Sequence, residues 1–150
     1  MTDLTYVRVD RRWAYVCLTI DFFNREIIGL TVGWHKTAEL VKQAIQSIPY
    51  ALTKAKLFHS DRGKEFDNQL IDEMLEAFGI TRSLSQAGCP YDNAVAESTY
   101  RSFKLEFINQ ETFQSLKELA LKRRLCPLWN YHRIHGSLNY QTPMTKRIIA

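Results

Sequence analysis

The sequence has few of the features that mark secreted or membrane-spanning chains. Its cysteines, Cys17, Cys89 and Cys126, are odd in number and lack the paired spacing of a zinc site, which favours free thiols over a disulfide framework. It contains no apolar run of about 18 residues or more, and no positively charged segment followed by an apolar leader. We therefore expect a cytoplasmic chain with no membrane partner.

Proline and glycine are also sparse, at 4 and 6 of 150 residues, and no repeat, low-complexity tract or interdomain linker interrupts the sequence. Hydrophobic residues make up 45% and aromatic residues 12%, which is enough for the core of one compact domain over residues 1–150. The formal net charge is +4 and the isoelectric point is near 9.0. This balance permits nucleic-acid binding but does not demand it.

The first part of the chain has the period of β-strands. Residues 2–9 alternate, so that Asp3 and Val7 lie on one face. Residues 13–20 and 26–34 are rich in aromatic and β-branched side chains, and polar turns bound all of these segments. The pattern predicts a three-strand antiparallel meander.

The period changes to that of a helix at Thr37, and apolar residues recur at helical spacing until Pro49. A short strand is then predicted at 56–59, a helix at about 67–78 and a fifth strand at 80–84. This part of the sequence therefore alternates helix and strand.

Two more helices complete the prediction. One covers about 93–108 with Asp92 as its N-cap, and another starts at Thr112 and reaches toward Tyr131. Pro127 falls inside the second helix and is expected to kink or break it. The whole pattern, βββαβαβαα, is that of a ribonuclease H-like α/β fold. This fold has a mixed five-stranded sheet, three antiparallel strands followed by two parallel ones, with helices on both faces.

Three acidic residues stand in distinctive sequence blocks. Asp3 lies in Thr-Asp-Leu-Thr-Tyr, Asp61 in His-Ser-Asp-Arg-Gly and Glu97 in Tyr-Asp-Asn-Ala-Val-Ala-Glu-Ser. Between Asp61 and Glu97 lie 35 residues, from position 62 to position 96. In the predicted fold the strands that carry Asp3 and Asp61 are neighbours, so their carboxylates can converge. The approach of Glu97 depends on the loop before its helix.

These blocks resemble the integrase-like catalytic core of transposases from bacterial insertion sequences, the group encoded by a second reading frame called OrfB. The spacing is that of the acidic triad in retroviral integrases. The resemblance runs from about Thr2 to about Pro143 and includes an Asn-Tyr-His-Arg-Ile-His block at 130–135. It implies a DDE-type polynucleotidyl transferase whose three acids are catalytic and bind metal. Its substrates would be the ends of a mobile DNA element and then a target duplex.

The residue types of the triad agree with that chemistry. Three carboxylates with no histidine or cysteine among them suit Mg²⁺ or Mn²⁺ rather than zinc. Two such ions, about 3.5 to 4 Å apart, can stabilise the attacking and leaving oxygens of an in-line phosphodiester displacement. Water would attack first and expose a 3′-hydroxyl, and that hydroxyl would then attack the target. No covalent protein–DNA intermediate is implied.

Basic and polar residues around Glu97 are candidate DNA contacts. Lys104, seven residues further on, matches a Lys or Arg that family members use to contact DNA near the scissile phosphate. Arg101 lies on the same helical stripe as Glu97 and Lys104. Tyr91 and Asn93 either contact DNA as well or only set the start of the helix.

The residues after Asp61 also leave two interpretations open. Arg62 and Lys64 either neutralise a DNA phosphate or balance local acids. At the next two positions Glu65 and Phe66 stand where relatives commonly have Gln-Tyr. We interpret this departure as a tolerated surface change.

Further expectations come from the resemblance alone. Relatives have a segment before the first aspartate, often with a helix-turn-helix partner protein that recognises element ends, and we expect this upstream region to be absent here. The C-terminal helical segment, about 112–150, is expected to pack on the core. Related enzymes act as multimers on paired DNA ends, so we expect a homo-oligomer assembled on DNA in the bacterial cytosol.

Two other functions remain open at this point. A ribonuclease H-like nuclease would share the fold and stop at hydrolysis, but the acidic spacing and Lys104 favour the transposase. An inactive DNA-binding fragment of a transposase would keep the fold without the chemistry, and the intact triad argues against it.

Overall fold

An antiparallel meander opens the fold in the computed structural model, which describes residues 1–86, 94–109 and 111–149. Strands β1 (Thr2–Val9), β2 (Arg12–Ile20) and β3 (Ile27–Gly33) pair in that order. The turn between β1 and β2 places Asp10 at φ 48°, a left-handed conformation that aspartate tolerates better than most residues. The predicted meander is confirmed, and its strand limits differ from the prediction by one residue.

The next elements alternate as predicted. Helix α1 (Ala38–Gln46) leads to β4 (Leu57–Ser60), and helix α2 (Gln69–Ala77) leads to β5 (Thr81–Leu84). Strands β4 and β5 are parallel, and β1 contacts β4. Hydrogen bonds join the strands in two ladders, β1–β2–β3 and β4–β5. The α/β class and the order of three antiparallel strands before two parallel ones are therefore confirmed.

Local sequence explains where these helices begin and end. Thr37 caps α1 by accepting a hydrogen bond from the Leu40 N–H, and Asn68 caps α2 in the same way from Ile71. Gly79 follows α2 at φ 65°, a conformation that glycine adopts without steric cost. Both helices therefore begin at a side-chain cap, and α2 ends at a glycine.

The side chains of β2 alternate between two hydrophobic layers. Leu18 and Ile20 pack on one face in a cluster with Phe103 and Trp129, while Cys17 faces the cluster formed with α1 and α2. Helices thus cover both faces of the meander. No helix among the residues that the structure describes is long and apolar enough to cross a membrane.

Helix α3 (Ala94–Phe103) continues as a π-helical turn over Lys104–Ile108, which agrees with the predicted helix at about 93–108. Its apolar stripe is buried against the first cluster, through Ala96, Tyr100 and Phe103. The predicted N-cap Asp92 lies outside the described residues. These buried residues recur at intervals of four and three, so they form one face of α3.

The predicted helix from Thr112 to Tyr131 is broken into pieces, as expected from Pro127, and its predicted start at Thr112 is wrong. Ser115, not Thr112, is the N-cap, and its hydroxyl accepts a hydrogen bond from the Glu118 N–H. Helix α4 (Leu116–Ala120) is followed by a 3-10 turn and then by helix α5 (Cys126–Tyr131). Pro127 lies in the first turn of α5, where its missing N–H removes no helical hydrogen bond. Pro127 therefore lies at the start of α5 and not in the middle of a longer α-helix.

Side-chain hydrogen bonds attach α5 to the β2–β3 hairpin. The indole N–H of Trp129 donates to the carbonyl of Arg25 at 3.0 Å. The Asn130 side chain accepts from the Ile27 N–H and donates to the Ile27 carbonyl, both at 2.9 Å. A short helix α6 (Pro143–Ile148) contacts α5. The Asn130 side chain therefore hydrogen-bonds the main chain of β3 at Ile27, as the backbone of a neighbouring strand would.

His135 follows α5 and is buried against the edge of the Trp129 ring, with ring centroids 5.0 Å apart. Arg133 Nη1 lies 3.2 Å from its Nδ1 and donates to it, which places the imidazole proton on Nε2. Burial, assisted by the positive charge of Arg133, lowers the pKa of His135 to about 4. The imidazole is therefore neutral in the folded protein at pH 7.

This lowered pKa predicts an acid-sensitive fold. In the unfolded chain a histidine takes up its proton near pH 6.5, so the stability that neutral His135 contributes is complete above that pH and is lost between about pH 6.5 and 4. We expect this group to account for roughly 1 to 3 kcal/mol of the loss. Urea unfolding of the wild type and of His135→Gln at pH 7 and pH 4.5 measures it. His132→Gln, at an exposed position, is the control, and an equal pH dependence in all three proteins would contradict the prediction.

Candidate active site

Asp3 lies near the start of β1, opposite Leu18 of β2. Its side chain is partly buried, and its Oδ1 accepts a hydrogen bond from the Leu4 N–H at 2.7 Å. The backbone carbonyl of Asp3 accepts a hydrogen bond from the hydroxyl of Tyr100 on α3. The main chain at Asp3 is thus fixed from both the sheet and the helix.

Asp61 is the first residue after β4 and begins a tight loop. Its Oδ1 accepts a hydrogen bond from the Gly63 N–H at 2.8 Å, and the Gly63 carbonyl accepts from the N–H groups of Phe66 and Asp67. Arg82 of β5 donates to the Phe66 carbonyl at 2.7 Å. These hydrogen bonds fix the conformation of the loop and hold Asp61 at the end of β4.

Asp3 lies on β1 and Asp61 follows β4, and these two strands are in contact. The hydrogen bond from Lys36 to Glu65 raises the pKa of Lys36, and the negative charges of Glu65, Asp61 and Asp3 raise it further against the effect of partial burial. The pKa of the buried Cys17 thiol is raised by burial and then by the negative charges of Asp3 and Glu65. We call this group of acids, Asp3, Asp61 and Glu65, the acidic edge.

Glu65 is a correction to the sequence analysis. Its side chain is only 6% exposed and Phe66 is completely buried, so the Glu65-Phe66 pair is not a surface change. The Glu65 carboxylate lies over Gly63, where a Cβ atom would come within 2.4 Å of Oε1. Its Oε1 pairs with the Lys36 ammonium at 2.7 Å. Because Gly63 has no side chain, the carboxylate can occupy this space.

Glu97 lies in the first turn of α3 with its side chain exposed. Tyr100, one turn further along, is fully buried; its hydroxyl accepts from the Leu18 N–H at 2.8 Å and donates to the Asp3 carbonyl. Burial raises the pKa of Tyr100 well above its usual value, so it remains a neutral donor. The helix that carries Glu97 is therefore bonded directly to the strand that carries Asp3.

The three predicted metal ligands do not form one ligand set in this structure. Within residues 1–86, 94–109 and 111–149, no three histidine, cysteine, aspartate or glutamate side chains are close enough to hold a metal ion. Asp3 and Asp61 each bond a nearby backbone N–H instead. A carboxylate has about four lone-pair sites, so one such bond does not prevent metal coordination. The donors are hard oxygens, and their chemistry fits Mg²⁺ or Mn²⁺.

The residues predicted to contact DNA differ in their exposure and in their contacts within the chain. The Lys104 ammonium lies 4.8 Å from the centre of the Tyr6 ring, in a cation–π contact on the β1 side of α3. Arg101 is exposed on α3. Tyr91 and Asn93 lie outside the described residues. Lys104 and Arg101 are thus on the helix that carries Glu97, but Lys104 has an aromatic partner within the chain.

Beside Asp61, the two basic residues differ. Arg62 donates its Nε–H to the carbonyl of Ser85 at 3.0 Å, which connects the loop to the end of β5. The Lys64 side chain is exposed, and its carbonyl accepts a hydrogen bond from Asn68. Arg62 therefore has a structural contact that sequence alone did not indicate, although the residue as a whole is exposed.

Lys36 and the hydroxyl of Tyr100 were not predicted from the sequence. Lys36 stands between β3 and α1, far from Asp61 in sequence, and no motif marks it. Tyr100 belongs to no motif either, and helical period does not distinguish a phenol from a phenyl ring. The replacement of a neutral residue by Glu65 was the one signal available, since a new carboxylate requires a partner when it is buried.

The sequence matches the family described as the integrase core domain over residues 1–90, and a second family of the same description over residues 78–143. It is 34% identical over 115 residues to transposase InsF for insertion sequence IS3A of Escherichia coli (strain K12), covering 75% of this chain and 40% of that protein. It is 29% identical to the transposase for insertion sequence element IS904 of Lactococcus lactis subsp. lactis (strain IL1403), covering 94% of this chain and 57% of that one.

The chain therefore spans about half of the length of these transposases or less. Among solved structures it is similar to the HTLV-2 integrase catalytic core domain in complex with magnesium, in its trimeric form, with a TM-score of 0.69 and 14% identity. The alignment covers 96% of this chain and 91% of that one. This likeness identifies the fold as ribonuclease H-like.

Proposed function

Because the chain belongs to the integrase core domain family, we propose that it cuts DNA and joins a 3′-hydroxyl end to a target duplex by in-line phosphodiester displacement. It is the catalytic core of an insertion-sequence transposase in this proposal. One observation supports it: β1, which carries Asp3, contacts β4, which ends next to Asp61, and the Tyr100 hydroxyl of the Glu97 helix is bonded to the Asp3 carbonyl. This is the architecture that a shared acidic site needs.

Each acid has a distinct way of serving the reaction. Asp3 and Asp61 supply hard oxygen ligands from positions that the sheet and the Gly63 loop fix. Glu97 would supply the third carboxylate from the exposed first turn of α3. When bound, Mg²⁺ would activate the attacking oxygen and neutralise charge on the phosphate. The protein groups themselves orient the reacting atoms and take no covalent part.

We also propose DNA as the partner, with the chain acting as a homo-oligomer on paired DNA ends. The related HTLV-2 core is described in a trimeric form, which supports self-association of this fold. Recognition of element ends is assigned to a separate region or to a helix-turn-helix partner protein, since the chain covers only 40% of the length of InsF. Arg101, Lys104 and Lys64 are the exposed or partly exposed cations that we assign to phosphate contacts.

A joining assay tests this function. The protein is incubated with a labelled DNA duplex that has a free 3′-hydroxyl and with a supercoiled plasmid, in Mg²⁺ or in EDTA. We expect nicked plasmid and a covalently joined labelled product in Mg²⁺, and neither product in EDTA, because the carboxylates alone cannot stabilise the displacement. Denaturing gels detect both products.

The same gels separate the alternatives. Nicking without any joined product would identify a hydrolytic nuclease, and an RNA–DNA hybrid added in parallel would then reveal ribonuclease H-type cleavage. DNA binding without nicking in either Mg²⁺ or Mn²⁺ would identify an inactive fragment. A duplex ending in a 3′-deoxy nucleotide is the control, since it cannot be joined.

A further inference from the structure

Lys36 and Glu65 form an ion pair at the acidic edge. The Glu65 carboxylate lies over Gly63, and the Gly63 N–H donates to Asp61, so the pair lies beside the Asp61 loop. We propose that Lys36 contacts a phosphate of the bound DNA beside the acidic edge, and that Glu65 positions its ammonium for this contact. The inference rests on the proposed function and adds a substrate-binding residue to it. Nothing in the sequence motifs marks either residue for this role.

The burial of the two partners is unequal. The Glu65 side chain is 6% exposed and the Lys36 side chain is 46% exposed. Glu65 Oε1 is fully buried and, among the described residues, has no hydrogen-bond geometry beyond this ion pair. Because an isolated buried carboxylate is costly, Glu65 requires the Lys36 charge nearby. The carboxylate therefore fixes the position of an ammonium that still reaches solvent.

The Lys36 ammonium has N–H donors that remain for a ligand after its contact with Glu65. A lysine ammonium carries three N–H donors, and Glu65 occupies one direction from beneath. The backbone is also fixed, since Lys36 directly precedes Thr37, the N-cap of α1. By contrast, Lys42 within α1 has a 3.8 Å contact with exposed Glu39 and, in the part of the chain that the structure describes, no buried ion-pair partner. Lys36 is thus a half-exposed cation that the fold holds in place.

A role in stability alone would not explain why Lys36 and Glu65 are both charged. Replacing a buried ion pair by neutral side chains of similar size is often neutral or stabilising, so stability alone does not require charges here. A DNA phosphate approaching the acidic edge meets the negative charges of Asp3, Asp61 and Glu65, and repulsion opposes its entry. A cation held against these carboxylates offsets that repulsion and gives the phosphate a charge-assisted hydrogen bond.

A double-mutant cycle tests the inference without using catalysis. All proteins carry Glu97→Gln so that bound DNA is not cut. Onto this parent we place Lys36→Met, Glu65→Gln, both changes together, and Lys42→Met as the matched control. Thermal melting reports the fold, and the affinity for a short DNA duplex in Mg²⁺ over a range of salt concentrations reports phosphate contacts.

Lys36→Met alone is expected to melt at a lower temperature, because Glu65 becomes a buried unpaired charge. The double variant should melt like the parent but bind DNA roughly tenfold more weakly, with the salt slope reduced by about 0.9, as for one lost phosphate contact. Glu65→Gln should keep the parental slope, since Lys36 remains cationic. Lys42→Met should change neither measurement.

A double variant with parental affinity and parental salt slope would overturn the inference and leave the pair a structural role only. A parent protein that does not bind DNA would overturn it too. Failure of the proposed function would give a different experimental result. If DNA binding depends on Lys36 but the wild type joins no ends, the phosphate contact stands and the chemistry is what fails.

Discussion

Replacing Asp61 by asparagine is expected to reduce metal-dependent nicking and joining on the order of a thousandfold. Asparagine removes a negatively charged ligand, and its amide oxygen is a weaker donor for Mg²⁺ than a carboxylate. The loop should survive, because the asparagine Oδ1 can still accept the 2.8 Å hydrogen bond from the Gly63 N–H. The loss would therefore belong to the chemistry and not to the fold.

The control for Asp61→Asn is Asp10→Asn, at the other end of β1 from Asp3. Asp10 is exposed in a turn at φ 48°, which asparagine adopts readily, so this variant removes the same charge without strain. Joining rates, melting temperatures and DNA affinity are measured for both variants. Activity above about a tenth of wild type in a folded Asp61→Asn protein, which is a loss of only about 1.4 kcal/mol, would exclude Asp61 as an essential ligand.

The strands and early helices could be predicted because their signals are local. Alternation specifies β1 to β3, and caps such as Thr37 and Asn68 lie next to the helices that they start. The helix limits in the C-terminal part could not be predicted, because the local signals there compete with one another. A helical period was visible there, but the competing cap at Ser115 and the tolerance of Pro127 in a first turn decide where helices break. Those choices depend on how each piece packs.

The acidic edge was predictable only in part. The fold makes β1 and β4 neighbours, so the approach of Asp3 and Asp61 follows from the pattern of elements together with the motifs. The burial of Glu65 does not, because it depends on a loop that bonds Gly63 to Phe66 and leaves space above a glycine. Lys36 approaches from a different element altogether. Such contacts are set by tertiary structure and have no sequence period.

The Tyr100 hydroxyl makes the connection between Glu97 and Asp3 testable. Tyr100→Phe is expected to lower the unfolding free energy by about 1 to 3 kcal/mol, since the buried hydrogen bonds of its hydroxyl to two backbone groups are lost. These groups are the Leu18 N–H, which donates to the hydroxyl, and the Asp3 carbonyl, which accepts from it. The phenyl ring should still fill its place in the core, so the protein should remain folded at low temperature.

Activity distinguishes a positioning role for Tyr100 from a purely structural one. If the hydroxyl fixes α3 against β1, folded Tyr100→Phe at low temperature should join ends roughly ten- to a hundredfold more slowly, while its DNA affinity stays near wild type. A change in rate without a change in affinity is the diagnostic result, because loss of fold would lower both. Tyr140→Phe, at a residue 77% exposed, is the matched control. Unchanged joining in folded Tyr100→Phe would show that Glu97 reaches Asp3 and Asp61 without this hydrogen bond, and would assign the hydroxyl to stability alone.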